Sequence, residues 1–227
     1  MKNIAIILAS GSGSRFNNQV PKQFFKIINK TVLEYSIEAF QNHNKIDEII
    51  IVSNPDYIQK TKELSQKYSK VLNLIAGGET RQISSYNGVF SIKEEDANVL
   101  IHDAARPFVT EKIIDDCIIA LTKYKAVNVA VESSDTIIQV DENNFIKSVP
   151  ERKFLKRCQT PQCFNIKIIK EAHNLAIKNN FNTATDDCSL ILKYNLCPIY
   201  VVNGDINNIK ITYNSDIKTA EQILNEN

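Results

Sequence analysis

The chain has 227 residues, 27 Lys and Arg against 26 Asp and Glu, a formal net charge of +1 and 43% hydrophobic residues. That length suits one domain spanning 1–227 with a full core, and the balanced charge excludes the basic excess of a nucleic-acid binder. No apolar run approaches the roughly 20 residues of a membrane span, and the start lacks a signal peptide's basic region and cleavage site, so no membrane partner and a cytoplasmic location are expected.

The first predicted element is IAIILA (4–9), a β-branched apolar run of the kind buried on both sheet faces. It runs into SGSGSRF and then PKQF. A helix is predicted over TVLEYSIEAFQNH, with Thr31 and Glu34 in capping-box spacing and Val32, Leu33, Ile37 and Phe40 on one face. EIIIVS is the next strand, ended by Asn54-Pro55-Asp56. A polar helix follows over 57–67, then the strand VLNLIA. After Gly77-Gly78 come a helix through Ser91, the strand NVLIH, an amphipathic helix over 110–123 and the strand AVNVAV. Repeated βα units of this kind predict an α/β, Rossmann-like, mostly parallel sheet with helices on both faces.

The pattern then changes. DTIIQV-DENN-FIKSV reads as two short strands joined by a polar turn, a protruding β-hairpin arm over about 133–160. A helix over 166–177, a shorter one starting near Thr185, strands at IYVV and NIKIT, and a helix from Ser215 complete the chain. In NIKIT, Lys210 alternates with Ile209 and Ile211 and so points away from them.

Only six residues are glycine, and five of them, Gly11, Gly13, Gly77, Gly78 and Gly88, fall in two places just past predicted strands. Open α/β sheets bind ligands at that edge, and tight turns alone would be the plainer explanation for either place. The first loop is neither a dinucleotide fingerprint, because Phe16 stands where the third glycine belongs, nor a Walker loop, because no G-K-[ST] follows. Its N–H groups can cradle phosphate oxygens while Arg15 and Lys22 bring positive charge, with Pro21 restricting the backbone before Lys22. Asp103 and Arg106 in HDAARP follow another buried strand and make a second polar cluster at that edge, with a structural salt bridge as the alternative. Cys117, Cys158, Cys163, Cys188 and Cys197 include no C-x-x-C pair and His43, His102 and His173 are scattered, so neither a zinc site nor a disulfide framework is expected.

LASGSGSRF, PKQF, GGETRQISSYNG, HDAARP, DTI, QTPQCF, TDDCS and NIKIT, in that order, resemble the cytidylyltransferases that act on polyol phosphates, the methylerythritol-phosphate and ribitol-phosphate enzymes. The resemblance spans essentially the whole chain. It implies attack of a polyol phosphate on the α-phosphorus of CTP, with magnesium as cofactor held mainly by CTP oxygens and no protein metal ligands. It implies catalytic roles for Arg15, Lys22 and Lys210. Ala9, Ser10, Gly11, Gly13, Gly78, Glu79, Arg81 and Ser84 would bind the nucleotide. Asp103, Arg106, Thr136, Arg152 and Thr160 would bind the polyol phosphate. Thr136 and Arg152 lie on the arm, which in this family crosses to a neighbouring subunit, implying a homodimer. Ser10 replaces the family's usual Ala or Gly, and its backbone is expected to serve equally well.

HDAARP and Arg81-Gln82 look like the methylerythritol enzymes, whereas Ile138 after DTI, KYKAVNVAV and DDCSLILK are similar to the ribitol group. The expected acceptor is 2-C-methyl-D-erythritol 4-phosphate, with ribitol 5-phosphate as the alternative. A non-catalytic CTP-binding module is the other class to weigh, and the presence of Lys22 and Lys210 argues against it. A nucleotide-sugar glycosyltransferase would want an Asp-x-Asp motif, which is lacking.

Overall fold

A computed structural model describes residues 1–11 and 20–226. In chain order these form β1 (Lys2–Ala9), a small hairpin of β2 (Lys26–Ile27) and β3 (Lys30–Thr31), α1 (Val32–Gln41), β4 (Glu48–Ser53), α2 (Ile58–Ser65), β5 (Val71–Ala76) and α3 (Arg81–Ser91). There follow β6 (Ala97–Asp103), α4 (Glu111–Leu121), β7 (Ala126–Glu132), the hairpin β8 (Gln139–Val140) and β9 (Ile146–Ser148), β10 (Lys156–Asn165), α5 (Ile166–Lys178), α6 (Asp187–Lys193), β11 (Tyr200–Asn203) and α7 (Ser215–Glu226).

The main sheet has seven strands in the order β11-β7-β10-β6-β1-β4-β5. Only β10 runs antiparallel to its neighbours, β6 and β7. Alternation along β1 divides the core. Ala5, Ile7 and Ala9 pack with Leu33, Ile37 and Phe40 of α1 and Ile113, Ile114 and Cys117 of α4. Ile4, Ile6 and Leu8 pack on the other face with Val89 of α3, Ile169 and Ala172 of α5, and Leu190 and Ile191 of α6. The predicted α/β sheet covered on both faces is therefore what forms.

Local chemistry sets the element ends. Thr31 Oγ1 accepts the Glu34 N–H and Glu34 Oε2 accepts the Thr31 N–H at 2.8 Å, completing the capping box, a feature worth about 1 kcal/mol. Gly88 lies inside α3 rather than in a loop. A Cβ there would sit 2.9 Å from both Ile6 Cγ2 and Val52 Cγ2, so glycine lets the helix lie close on β1 and β4.

Three elements differ from expectation. β10 was not foreseen as a strand, because KRCQTPQCFN carries a proline and polar residues at buried positions. Its register against β7 shifts between Cys158 and Gln162, which accommodates Pro161. Residues 156–160 thus belong to the main sheet, and the exposed arm ends before Lys156. NIKIT pairs in no ladder. It is tied down singly, by the Ile211 N–H to the Ala105 carbonyl at 2.8 Å and by Asn208 to the Thr160 carbonyl at 3.0 Å. The helix expected near Thr185 begins at Asp187, capped by the Asp186 carboxylate, which accepts the Ser189 N–H.

The connection from β1 runs toward β4 at one end of the strand order and that from β6 toward β7 at the other. The reversal leaves a crevice at the carboxyl ends of β1 and β6, where ligands enter sheets of this kind.

Candidate active site

That crevice is a cavity of about 590 Å³, lined among others by Ala9, Ser10 and Gly11 after β1, Lys22, Gly78–Arg81, Asp103 after β6, and Lys210. Gln23 anchors the Lys22 segment, its amide donating to the carbonyls of Ala9 at 2.8 Å and Gly11 at 3.1 Å. Lys22 Nζ donates to the Ile211 carbonyl at 2.9 Å. The Lys22 and Lys210 segments, far apart in sequence, are thereby brought side by side. Gly13 and Arg15 lie outside the described residues.

The second glycine loop packs tightly. A Cβ on Gly77 would fall 2.4 Å from Ser10 Cβ, and one on Gly78 only 2.1 Å from Ile83 Cγ2. Thr80 caps α3 by accepting the Ile83 N–H at 3.1 Å. Ser84 is fully buried. Its hydroxyl accepts the Gly78 N–H at 3.1 Å, and the Ser10 hydroxyl donates to it at 2.7 Å. Ser10 thus uses its side chain to join the two loops, a contact that the usual alanine or glycine could not make.

At the floor of the cavity Asp103 meets two cations. Its Oδ1 accepts Arg81 Nε at 3.1 Å and its Oδ2 accepts Lys210 Nζ at 2.6 Å. Burial alone would raise this carboxyl, but Arg81 and Lys210 outweigh it and hold it well below the usual carboxylate range. Lys210 points into the cavity while Ile211 is fully buried, as the alternation predicted.

Behind Asp103 the backbone is held by a proton-ordered chain. The Asp103 N–H donates to Thr160 Oγ1 at 3.1 Å, and that hydroxyl lies 3.0 Å from His102 Nδ1. His102 Nε2 lies 2.9 Å from the Arg106 carbonyl. A carbonyl only accepts, so Nε2 carries the proton and Nδ1 accepts from Thr160. Burial pushes the His102 pKa down to about 4, and the ring is neutral.

The polyol-site expectations divide. Asp103 faces the cavity. Thr160 lies beneath it as a support. Arg106 turns away, donating to the carbonyls of Asn208 at 2.8 Å and Cys158 at 3.2 Å, which fixes the Lys210 segment instead of lining the cavity. Thr136 and Arg152 pair with each other at 3.0 Å on the exposed arm, away from this chain's own cavity. Sequence reasoning assigned no role to Gln23, Ser85, His102, Gln162, His173 or Asp187. All of these except His173 lie within the motifs that carry the resemblance: Gln23 in PKQF, Ser85 in GGETRQISSYNG, His102 in HDAARP, Gln162 in QTPQCF and Asp187 in TDDCS.

The acidic residues lining the cavity are Glu79 and Asp103, and both Asp103 oxygens are already engaged by cations. Such a donor set fits a divalent ion carried on nucleotide phosphates better than one caged by protein carboxylates.

Comparison with known proteins gives concordant matches. The family model described as 2-C-methyl-D-erythritol 4-phosphate cytidylyltransferase matches residues 3–226. A protein of that name from Clostridium botulinum strain 657 is 41% identical over 225 residues, covering 98% of this chain and 97% of its own. A bifunctional ribulose 5-phosphate reductase/CDP-ribitol pyrophosphorylase from Haemophilus influenzae is 39% identical over 232 residues, 98% of this chain but 48% of that protein. The crystal structure of 4-diphosphocytidyl-2C-methyl-D-erythritol synthase from Anaerococcus prevotii superposes with a TM-score of 0.89 at 32% identity, covering 99% of this chain and 98% of that one.

Proposed function

This chain belongs to the 2-C-methyl-D-erythritol 4-phosphate cytidylyltransferase family, and from that premise we propose how its cavity joins CTP to 2-C-methyl-D-erythritol 4-phosphate. A phosphate oxygen of the acceptor attacks the α-phosphorus in line. One P–O bond forms as the α–β anhydride bond breaks, and pyrophosphate leaves with the electron pair. The products are 4-diphosphocytidyl-2-C-methyl-D-erythritol and pyrophosphate. The observation that carries this reading is the convergence of Lys22, Lys210 and Asp103 on one cavity at the carboxyl ends of β1 and β6.

Negative charge builds on the α-phosphate and the leaving group, so positioned cations supply most of the stabilisation. Lys22 and Lys210 are the described residues placed for it, with Arg15 assigned alongside them by the family resemblance. The close-packed Gly77–Gly78 loop, joined to Ser10 through Ser84, presents backbone groups to the base and ribose. Asp103, ionised between its cations, accepts hydrogen bonds from hydroxyls of the acceptor. Magnesium bound to the CTP phosphates would neutralise part of their charge.

The arm supports a homodimer. Phe145, Ile146, Val149 and Phe154 are each more than half exposed on it, the last at 75%, and Arg152 pairs with Thr136 and does not line its own chain's cavity. Crossing to a second copy would cover these side chains and bring Arg152 and Thr136 to that copy's acceptor site. A need for CTP and five unpaired cysteines fit the bacterial cytoplasm. Among the described residues no helix is long and apolar enough to cross a membrane.

The test is magnesium-dependent pyrophosphate release from CTP with 2-C-methyl-D-erythritol 4-phosphate and ribitol 5-phosphate compared side by side. Preference for the first is expected. Preference for ribitol 5-phosphate would move the chain toward the activity named for the Haemophilus relative, and CTP binding without turnover on either would leave a nucleotide-binding module.

A further inference from the structure

Asp187 does not line the cavity, yet its carboxylate is buried and held by several partners. Its side chain is 1% exposed. Oδ2 accepts Arg81 Nη1 at 2.7 Å, Oδ1 accepts the Ser85 hydroxyl at 2.5 Å, and His173 Nε2 lies 3.6 Å from Oδ1. Its own N–H donates to Gln162 Oε1 at 2.8 Å. Arg81 in turn reaches Asp103 with Nε at 3.1 Å.

We propose that Asp187 is a positioning residue for the acceptor site, acting through Arg81 on Asp103. The inference rests on the reading of Asp103 as the group that accepts the polyol hydroxyls. A guanidinium has two edges that match a carboxylate, Nε with Nη2 and Nη1 with Nη2. Here each carboxylate holds only the outer nitrogen of its edge. The shared Nη2 is buried and has no hydrogen-bond partner among the described residues. The fork is therefore drawn between Asp103 in front and Asp187 behind, and neither pair closes to two bonds.

That tension leaves Asp103 Oδ2 to Lys210, at 2.6 Å, and to the cavity. The cluster balances two cations, Arg81 and Lys210, against two carboxylates. Neutralising Asp187 leaves Arg81 with one charged partner. Its lowest-energy arrangement is then the bidentate fork on Asp103, with Nη2 taking Oδ2. Arg81, assigned to the nucleotide by the resemblance, is engaged by these two carboxylates. The acceptor must compete for that oxygen, while the contacts among Ser10, Gly78 and Ser84 in the nucleotide loops are kept.

The nearly isosteric variant Asp187→Asn tests this, after wild-type turnover has been established. Acceptor KM should rise about tenfold, the loss of one charge-assisted hydrogen bond, while calorimetric CTP affinity stays within about twofold. In an Arg81→Lys background, which has no fork to close, Asp187→Asn should change acceptor KM by less than about twofold. If Asp187→Asn fails to fold by circular dichroism, Ser85→Ala is expected to raise acceptor KM about two- to fourfold, again sparing CTP affinity. A folded Asp187→Asn enzyme with unchanged acceptor KM overturns the inference alone. So do equal losses of CTP affinity and acceptor KM, or an undiminished effect in the Arg81→Lys background. A wild-type enzyme with no turnover on either acceptor overturns the functional reading, and this inference with it.

Discussion

Asp103 and Lys210, 107 positions apart in the chain, close to 2.6 Å at the floor of the cavity. Lys210 is partly exposed there, its side chain at 39%, so solvent screens its share of the pair and Arg81 carries more of the stabilisation of buried Asp103. In the proposed reaction it holds the ammonium where a phosphate would arrive. Lys210→Ala is expected to lower kcat about 10²–10³-fold and to leave the thermal midpoint nearly unchanged, because Asp103 keeps Arg81. Steady-state kinetics with a melting curve decides it, and near-normal turnover would remove Lys210 from the chemistry.

The two glycine loops should respond differently to an added methyl group. Gly78→Ala forces a Cβ to 2.1 Å from Ile83 Cγ2 and 2.7 Å from Ile83 Cβ. Isoleucine is branched at Cβ and cannot swing clear, so a loss of about 1–3 kcal/mol is expected. Gly11→Ala meets nothing within 4 Å among the described residues. Its stability should match wild type, and any loss of CTP affinity there reports contact with the ligand. Urea unfolding and calorimetry of both variants are the measurements; a stable Gly78→Ala protein would contradict the packing described.

The neutral His102 beneath Asp103 gives stability a defined pH dependence. Its folded pKa, about 4, lies below the ordinary histidine value of 6.5. Between those values the unfolded chain binds a proton that the folded chain does not, so stability is fully present above pH 6.5 and falls as pH drops toward 4. The loss approaches about 3 kcal/mol. Burial lowers His43 as well, so it too costs stability as pH falls below 6.5. Asp103 and Asp187, held low by their cation partners, lose their contributions only from about pH 4 downward. His102→Gln should therefore flatten, not abolish, the fall in urea midpoint between pH 7 and 4.5. Equal slopes in wild type and variant would show that His102 is not the buried neutral group.

Which parts of this were legible in the sequence follows from how local the signal is. The two-faced core around β1 showed in six residues, and the α1 cap in Thr31 and Glu34. Gly77 and Gly78 marked a tight loop because glycine is scarce elsewhere. β10 was hidden because Gln159, Thr160 and Gln162 are buried through hydrogen bonds, which hydrophobic periodicity cannot register. Arg106 looked like a ligand contact because its partners are backbone carbonyls, which carry no sequence signature. Asp187 reaches Arg81 across 106 positions, a pairing that only the folded chain reveals.

The arm allows a test in which two inactive proteins restore each other. Lys22 lies in the body of its own cavity, whereas Arg152 pairs with Thr136 on the exposed arm. If the arm crosses to a second copy, Lys22→Ala and Arg152→Ala damage sites through different subunits. Mixed after denaturation and refolding in equal amounts, they form heterodimers in which one site has both defects and the other has neither. Random pairing puts half the dimers in that class, so about a quarter of wild-type activity should return. Lys22→Ala with Lys210→Ala is the control, since both reside in one body and every mixed site keeps a defect. Restoration in the first mixture and none in the control is the expected result. No restoration, with mixed dimers demonstrated by a tag on one partner, would show that Arg152 does not act across the subunit boundary.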